Sequence, residues 1–148
     1  TRQNTATIDR QLYTDAEELS KGAYVLADFG GETPELILMA SGSEVNLILK
    51  AAENLAAEGL SVRVVSFPSW ELFDKQDQNY KDRVFPPFVK KRLAVEAGTT
   101  LGWERWVGDE GLVIGIDQFG ASAPLSVVME KYGLSVANIT KTALKLCQ

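Results

Sequence analysis

The chain has 148 residues, 45% of them hydrophobic and 24% charged, with a formal net charge of -5 and a single cysteine. That is the length and composition of one globular domain with a real core, short for an enzyme that must also enclose a large substrate. The acidic balance argues against nucleic acid or an anionic membrane as the main partner, and one cysteine excludes an internal disulfide.

The first stretch, Thr1 to Lys21, is polar and without a clear period, and reads as a link from something upstream with one turn of helix near Asp15 to Leu19. The first residue is Thr1 rather than an initiator methionine, which points to a fragment or a processed protein. Tyr24 to Phe29 (YVLADF) has strand composition. The five residues Gly30 to Pro34 are too short for a crossover, so this strand should run opposite to the next one, with adjacency left open.

The chain is organised around Glu35 to Gly59. Leu36 to Ala40 (LILMA) is an apolar run bounded by Pro34 and Gly42, as expected of a strand buried on both faces. Ser41 and Glu44 have the spacing of a capping box, in which hydroxyl and carboxylate satisfy the first free amides of a helix reciprocally. Val45, Ile48, Leu49, Ala52, Leu55 and Ala56 then recur at helical spacing, and Gly59 supplies a left-handed stop. Leu60 to Phe67 (LSVRVVSF) is a second apolar strand, parallel to the first because a whole helix intervenes.

Further on, Ser69 is placed to cap a short helix carrying Trp70, Leu72 and Phe73, and a second helical piece is expected near Asn79 to Val84, stopped by Pro86-Pro87. Arg92 to Ala97 (RLAVEA) reads as a third parallel strand, followed by the loop Gly98-Thr99-Thr100 and a short helix with Trp103, Trp106 and Val107 on one side. Leu112 to Ile116 is a fourth parallel strand. After the loop Phe119 to Ser122, Ser122 caps a helix that holds Pro124 in its first turn and runs over Leu125 to Tyr132. Ser135 caps the last helix, with Val136, Ile139, Ala143, Leu144 and Cys147 on one face. Strands alternating with helices predict an α/β chain: a three-layer α/β/α sandwich on a mostly parallel five-stranded sheet, with one strand reversed.

The chain contains no histidine. With a lone cysteine beside the C-terminus there is no imidazole base, no Ser-His or Cys-His pair and no expected transition-metal site. Glu96 and Asp117 lie at the ends of strands, where α/β enzymes keep catalytic groups, yet nothing in the sequence pairs them. A hydrolase working through either is weighed against a structural role in capping loops, and the structural role is preferred. Ser41-Gly42-Ser43 and Gly120-Ala121-Ser122 put small residues at helix N-termini and offer candidate anion-binding loops, although neither has a phosphate-loop pattern and the same residues are needed as caps. A regulatory module that takes a small anion at Ser41, Gly42 and Ser43, or at Gly120 and Ser122, is therefore the alternative reading. Trp70, Phe73, Phe85, Phe88, Trp103 and Trp106 read as core before they read as a ligand box, with subunit contact a second use. With no signal peptide and no apolar run near about 18 residues, the cytosol or an organelle stroma or matrix is the expected compartment.

Five strings then carry a resemblance: Thr1-Arg2-Gln3-Asn4, MASGSEV (Met39 to Val45), SFPSWELFDKQD (Ser66 to Asp77), RLAVEAG (Arg92 to Gly98) and FGASAP (Phe119 to Pro124). Over nearly the whole length, in order, the chain resembles the C-terminal domain of transketolase, with Thr1 to Asn4 similar to the end of the preceding pyrimidine-binding domain. The resemblance implies a linker over residues 1–22 and the C-terminal domain over 23–148. It implies the strand order 1-3-2-4-5 with the reversed strand at the edge, so that Ser41 to Ser43 and Gly98 to Thr100 line the crevice at the topological switch point. For the parent enzyme it implies a homodimer that moves a two-carbon ketol unit between sugar phosphates with thiamine diphosphate and Mg2+ or Ca2+, in the cytoplasm or, in a photosynthetic eukaryote, the plastid stroma. No catalytic residue, cofactor site or metal site is expected within these residues, and the chain alone should be inactive. One functional residue carries over, Arg2, which matches the family's phosphate-binding arginine. A guanidinium suits that role because it stays charged and presents a fork of donors.

Overall fold

The computed structural model describes residues 7–117 and 130–148. The expected helix over Leu125 to Tyr132 falls mostly outside these residues, as does the loop Phe119 to Ser122. A short 3-10 helix (Ala16–Lys21) precedes β1 (Tyr24–Phe29) and β2 (Leu36–Ala40). Then come α1 (Glu44–Ala57), β3 (Val62–Ser66), α2 (Trp70–Asp74), α3 (Gln78–Val84), β4 (Lys91–Val95), α4 (Glu104–Val107), β5 (Leu112–Ile114) and α5 (Val136–Cys147).

The five strands form one sheet in the order β1-β3-β2-β4-β5. β2 pairs in parallel with both β3 and β4, β4 pairs in parallel with β5, and β1 runs antiparallel to β3. The first two strands are therefore not neighbours: β1 lies at the edge, one strand removed from β2. The reason is the crossover through α1, which lays β3 beside β2 and leaves only β3's outer edge for β1.

Every residue of β2 is buried, because the sheet is covered on both faces. Leu36, Leu38 and Ala40 face one cluster with Ile48, Leu55, Ile139 and Ala143, beneath α1 and α5. Ile37 and Met39 face the other with Phe67, Phe73, Val84 and Trp106, beneath α2, α3 and α4. Period-two alternation along one strand thus divides the apolar residues between two cores, and the three layers follow. On the second face Phe67 is the hub, with ring centroids 5.2 Å from Phe73, 5.8 Å from Trp103 and 4.7 Å from Trp106, all edge-on. Of the aromatic set read as core, Phe88 departs: it is 66% exposed.

Helix ends follow the local chemistry in most places. Ser69 accepts from the Leu72 amide and Ser135 from the Asn138 amide. Gly59 (φ +93°) closes α1, its amide bonding to Ala56 O while the Leu60 amide reaches Leu55 O. The stretch ahead of β1 is tied down as well: the Thr14 amide donates to Leu26 O, and Ile8 and Tyr13 pack against the first cluster.

Candidate functional site

Parallel strands β2 and β4 are in register, with Ala40 beside Val95, so the residues that follow, Ser41 and Glu96, emerge side by side at the carboxyl edge of the sheet. Here the chain leaves β2 for α1 on one side and the sheet order reverses, which opens a crevice. The expected capping box is not formed. Gly42 (φ +57°) turns the chain so sharply that Ser41 remains at the strand end, and Ser43 occupies the cap position without a side-chain bond to the helix amides. Ser41 Oγ donates to Glu96 Oε2 at 3.3 Å, across the crevice, and Ser43 Oγ donates to Glu44 Oε1 at 2.7 Å.

Glu44 is only 5% exposed, and it faces Glu96. Burial, then the Glu44 carboxylate, push Glu96 above the ordinary carboxylate range, against the pull of hydrogen bonds from Ser41 and Trp103. A small anion approaching Ser41 to Ser43 would meet both carboxylates, so local electrostatics oppose it there. Glu44 was legible only as a capping residue; the signal that would have found its role is the shared register of β2 and β4, which no local spacing carries.

Asp117 does different work. Its carboxylate accepts from the Thr100 amide (2.8 Å), Thr100 Oγ1 (2.7 Å) and Thr99 Oγ1 (3.1 Å), lacing the loop after β5 to the loop after β4. These bonds, the Thr100 amide foremost, hold it below the ordinary range. Its oxygens are thus engaged in shaping the Gly98 to Thr100 wall of the crevice. Glu96 and Asp117 form no pair with each other; each serves its own loop.

Of the remaining candidates, Arg2, Gly120 and Ser122 lie outside the described residues. Cys147 is half-buried, and burial pushes its thiol up, away from nucleophilic reactivity. Among the described residues no group of three or more His, Cys, Asp or Glu side chains is placed to hold a metal ion. No helix among them is long and apolar enough to cross a membrane.

A mostly parallel sheet covered on both faces, with one antiparallel edge and a crevice at the carboxyl ends of its central strands, defines a three-layer α/β domain of the doubly wound kind. Within that class the comparisons are specific. Residues 22–135 match the family model described as transketolase-like TK C-terminal domain, and the chain belongs to that family. A transketolase from Geobacillus stearothermophilus is 49% identical over 141 residues, covering 95% of this chain and 21% of its own length. A chloroplastic transketolase from Zea mays is 49% identical over 131 residues, which is 88% of this chain and 19% of that one. Among solved structures, a transketolase from Leishmania mexicana superposes with a TM-score of 0.81 at 40% identity, over 88% of this chain and 18% of that chain. The chain spans about a fifth of the length of the curated relatives it matches.

Proposed function

We propose that this chain serves as the C-terminal domain of a transketolase, a homodimer that moves a two-carbon ketol unit between sugar phosphates in the pentose phosphate or Calvin pathway. The observation that carries the reading is identity of 49% maintained over 95% of the chain. Such an enzyme uses thiamine diphosphate with Mg2+ or Ca2+, which supply the carbanion chemistry of ketol transfer. The described residues do not fit that group. The two carboxylates of the crevice are engaged by serine hydroxyls and would repel a diphosphate, and no cluster of three potential ligands stands elsewhere among the described residues. On this proposal the cofactor belongs to other parts of the longer enzyme, and the domain contributes stability and part of the subunit contact. In this reading residues 1–22 are the linker from the pyrimidine-binding domain, and Arg2 binds the phosphate of the substrate through its forked donors. The compartment is the cytoplasm, or the plastid stroma in a photosynthetic eukaryote.

The test is a chimera in which this chain replaces the matching segment of the Geobacillus stearothermophilus enzyme. The chimera should dimerise and transfer ketol units with thiamine diphosphate and Mg2+, while the purified 148-residue chain under the same conditions turns over nothing. A folded but inactive chimera, or turnover by the chain alone, defeats the reading. In the active chimera, Arg2→Ala should raise KM for phosphorylated substrates by roughly tenfold or more, in keeping with the loss of a charge-assisted fork, and leave unphosphorylated ones nearly unchanged. Equal effects on both would remove the phosphate assignment.

A further inference from the structure

We propose that a basic cavity at the opposite edge of the sheet, where β4 begins, binds a phosphate group. The cavity has a volume of about 330 Å3, at the lower end of the range for small-ligand pockets. Its wall includes four cations, Lys81, Lys90, Arg92 and Arg105, against one carboxylate, Asp82, which is itself engaged by the Gln78 amide at 2.7 Å. Two of the cations are already committed to Asp74. Arg105 forms a fork on its carboxylate at 2.9 and 2.5 Å, and Lys81 Nζ donates to its carbonyl at 2.7 Å.

The other two are not neutralised. Lys90 is exposed and makes no ion pair among the described residues. Arg92 is held by three backbone carbonyls, Val89 O at 2.9 Å, Trp106 O at 3.1 Å and Pro86 O at 3.2 Å, and by no carboxylate. Those bonds use three of its five N–H groups and leave one on each terminal nitrogen. Burial disfavours its charged form, and an anion in the cavity would relieve that. Trp106 lines the same cavity, and the Arg105 guanidinium lies 4.5 Å from its ring centroid, so an anion drawn to these cations sits close to this indole.

A second cavity of about 240 Å3 shares Lys90 and Arg92 but is walled by Asp109 and Glu110, so the charge balance selects the first. A free ammonium beside a half-filled guanidinium fork matches a dianionic phosphate better than a single carboxylate. The inference is separate from ketol transfer: it concerns the other edge of the sheet and stands or falls without it.

The experiment titrates the 15N-labelled 148-residue chain with inorganic phosphate and with glycerol 3-phosphate at constant ionic strength. The readout is the three indole N–H signals, with Trp106 assigned through Trp106→Phe. The Trp106 signal should shift saturably while those of Trp70 and Trp103 hold still. Binding should be tighter at pH 8 than at pH 5.5, because a phosphate ester loses its second proton near pH ~6. Lys90→Glu, at an exposed position, should keep the melting temperature and weaken binding by roughly tenfold or more; Arg92→Lys keeps the charge, removes the fork and should weaken it too. Tighter binding of the ester identifies a monoester as the ligand, and tighter binding of inorganic phosphate identifies the free ion. No saturable shift, the same shift with chloride at equal ionic strength, or wild-type binding by Lys90→Glu would overturn the proposal.

Discussion

Glu96 is a carboxylate that the fold holds against its charge. Its folded-state pKa is raised from the ordinary 4.5 by burial and by Glu44. Well above the folded value Glu96 is ionised in both folded and unfolded chains, and the folded chain alone carries the desolvation and repulsion. As pH falls through the folded value the folded chain takes up a proton first, so stability rises; below the ordinary value both forms are protonated and the gain is complete. Glu96→Gln keeps an acceptor for Ser41 and removes the charge, so it should raise the melting temperature at pH 7 by on the order of 2 °C, with the difference gone near pH ~4. A lower melting temperature at pH 7 would mean that the bonds from Ser41 and Trp103 outweigh burial. Asp117 has the opposite sign: its depressed pKa lends stability above the ordinary 3.8, which is lost as pH drops. Two carboxylates on neighbouring loops of one crevice thus respond to acid in opposite directions, because one is half-buried beside a like charge and the other is exposed among donors.

At the scale of elements, two glycines separate conformation from contact. Gly59 ends α1 at φ +93°, and a Cβ there would touch nothing within 4 Å. Gly22 follows the 3-10 helix at φ +86°, but a Cβ there would lie 2.3 Å from the Phe73 amide nitrogen and 2.4 Å from Ser69 O. Gly59→Ala should therefore cost about 1–2 kcal/mol, the backbone term alone. Gly22→Ala should cost clearly more, since the 3-10 helix must pull away from α2, and urea unfolding of the two variants measures the difference. Equal losses would show that the contact at Gly22 relaxes freely. Elements of this kind were legible in the residues: β1 and β2 have the bounds expected of them, and Ser69, Gly59 and Ser135 end helices as their chemistry dictates. What depends on a partner far along the chain was not. The spacing of Ser41 and Glu44 suggested a cap, but the partner of Ser41 lies 55 residues on. Phe67, the centre of the aromatic cluster, looked like the end of a strand, because its ring neighbours come from α2, from the residue after α3, and from α4 and the residue before it. The strand order came from family resemblance, since local patterning leaves the two edges of β2 equivalent.

For the whole molecule the decisive feature is that three strands serve two cores at once. Leu38 of β2, Val64 of β3 and Leu93 of β4 point to one face, while Met39, Val65 and Ala94, their immediate neighbours, point to the other. A strand cannot leave one cluster without withdrawing alternate side chains from the second, and the parallel ladders on both sides of β2 break with it. Unfolding of the 148-residue chain should therefore be a single transition. The tryptophans make this measurable: Trp70, Trp103 and Trp106 all belong to the face beneath α2, α3 and α4, whereas α1 and α5, the two longest helices described, cover the other. Tryptophan fluorescence reports the first face and far-UV circular dichroism is weighted toward the second, so their urea midpoints should coincide. Separate midpoints would mean that one layer melts while the sheet survives, and that the alternation along β2, β3 and β4 does not couple the two faces.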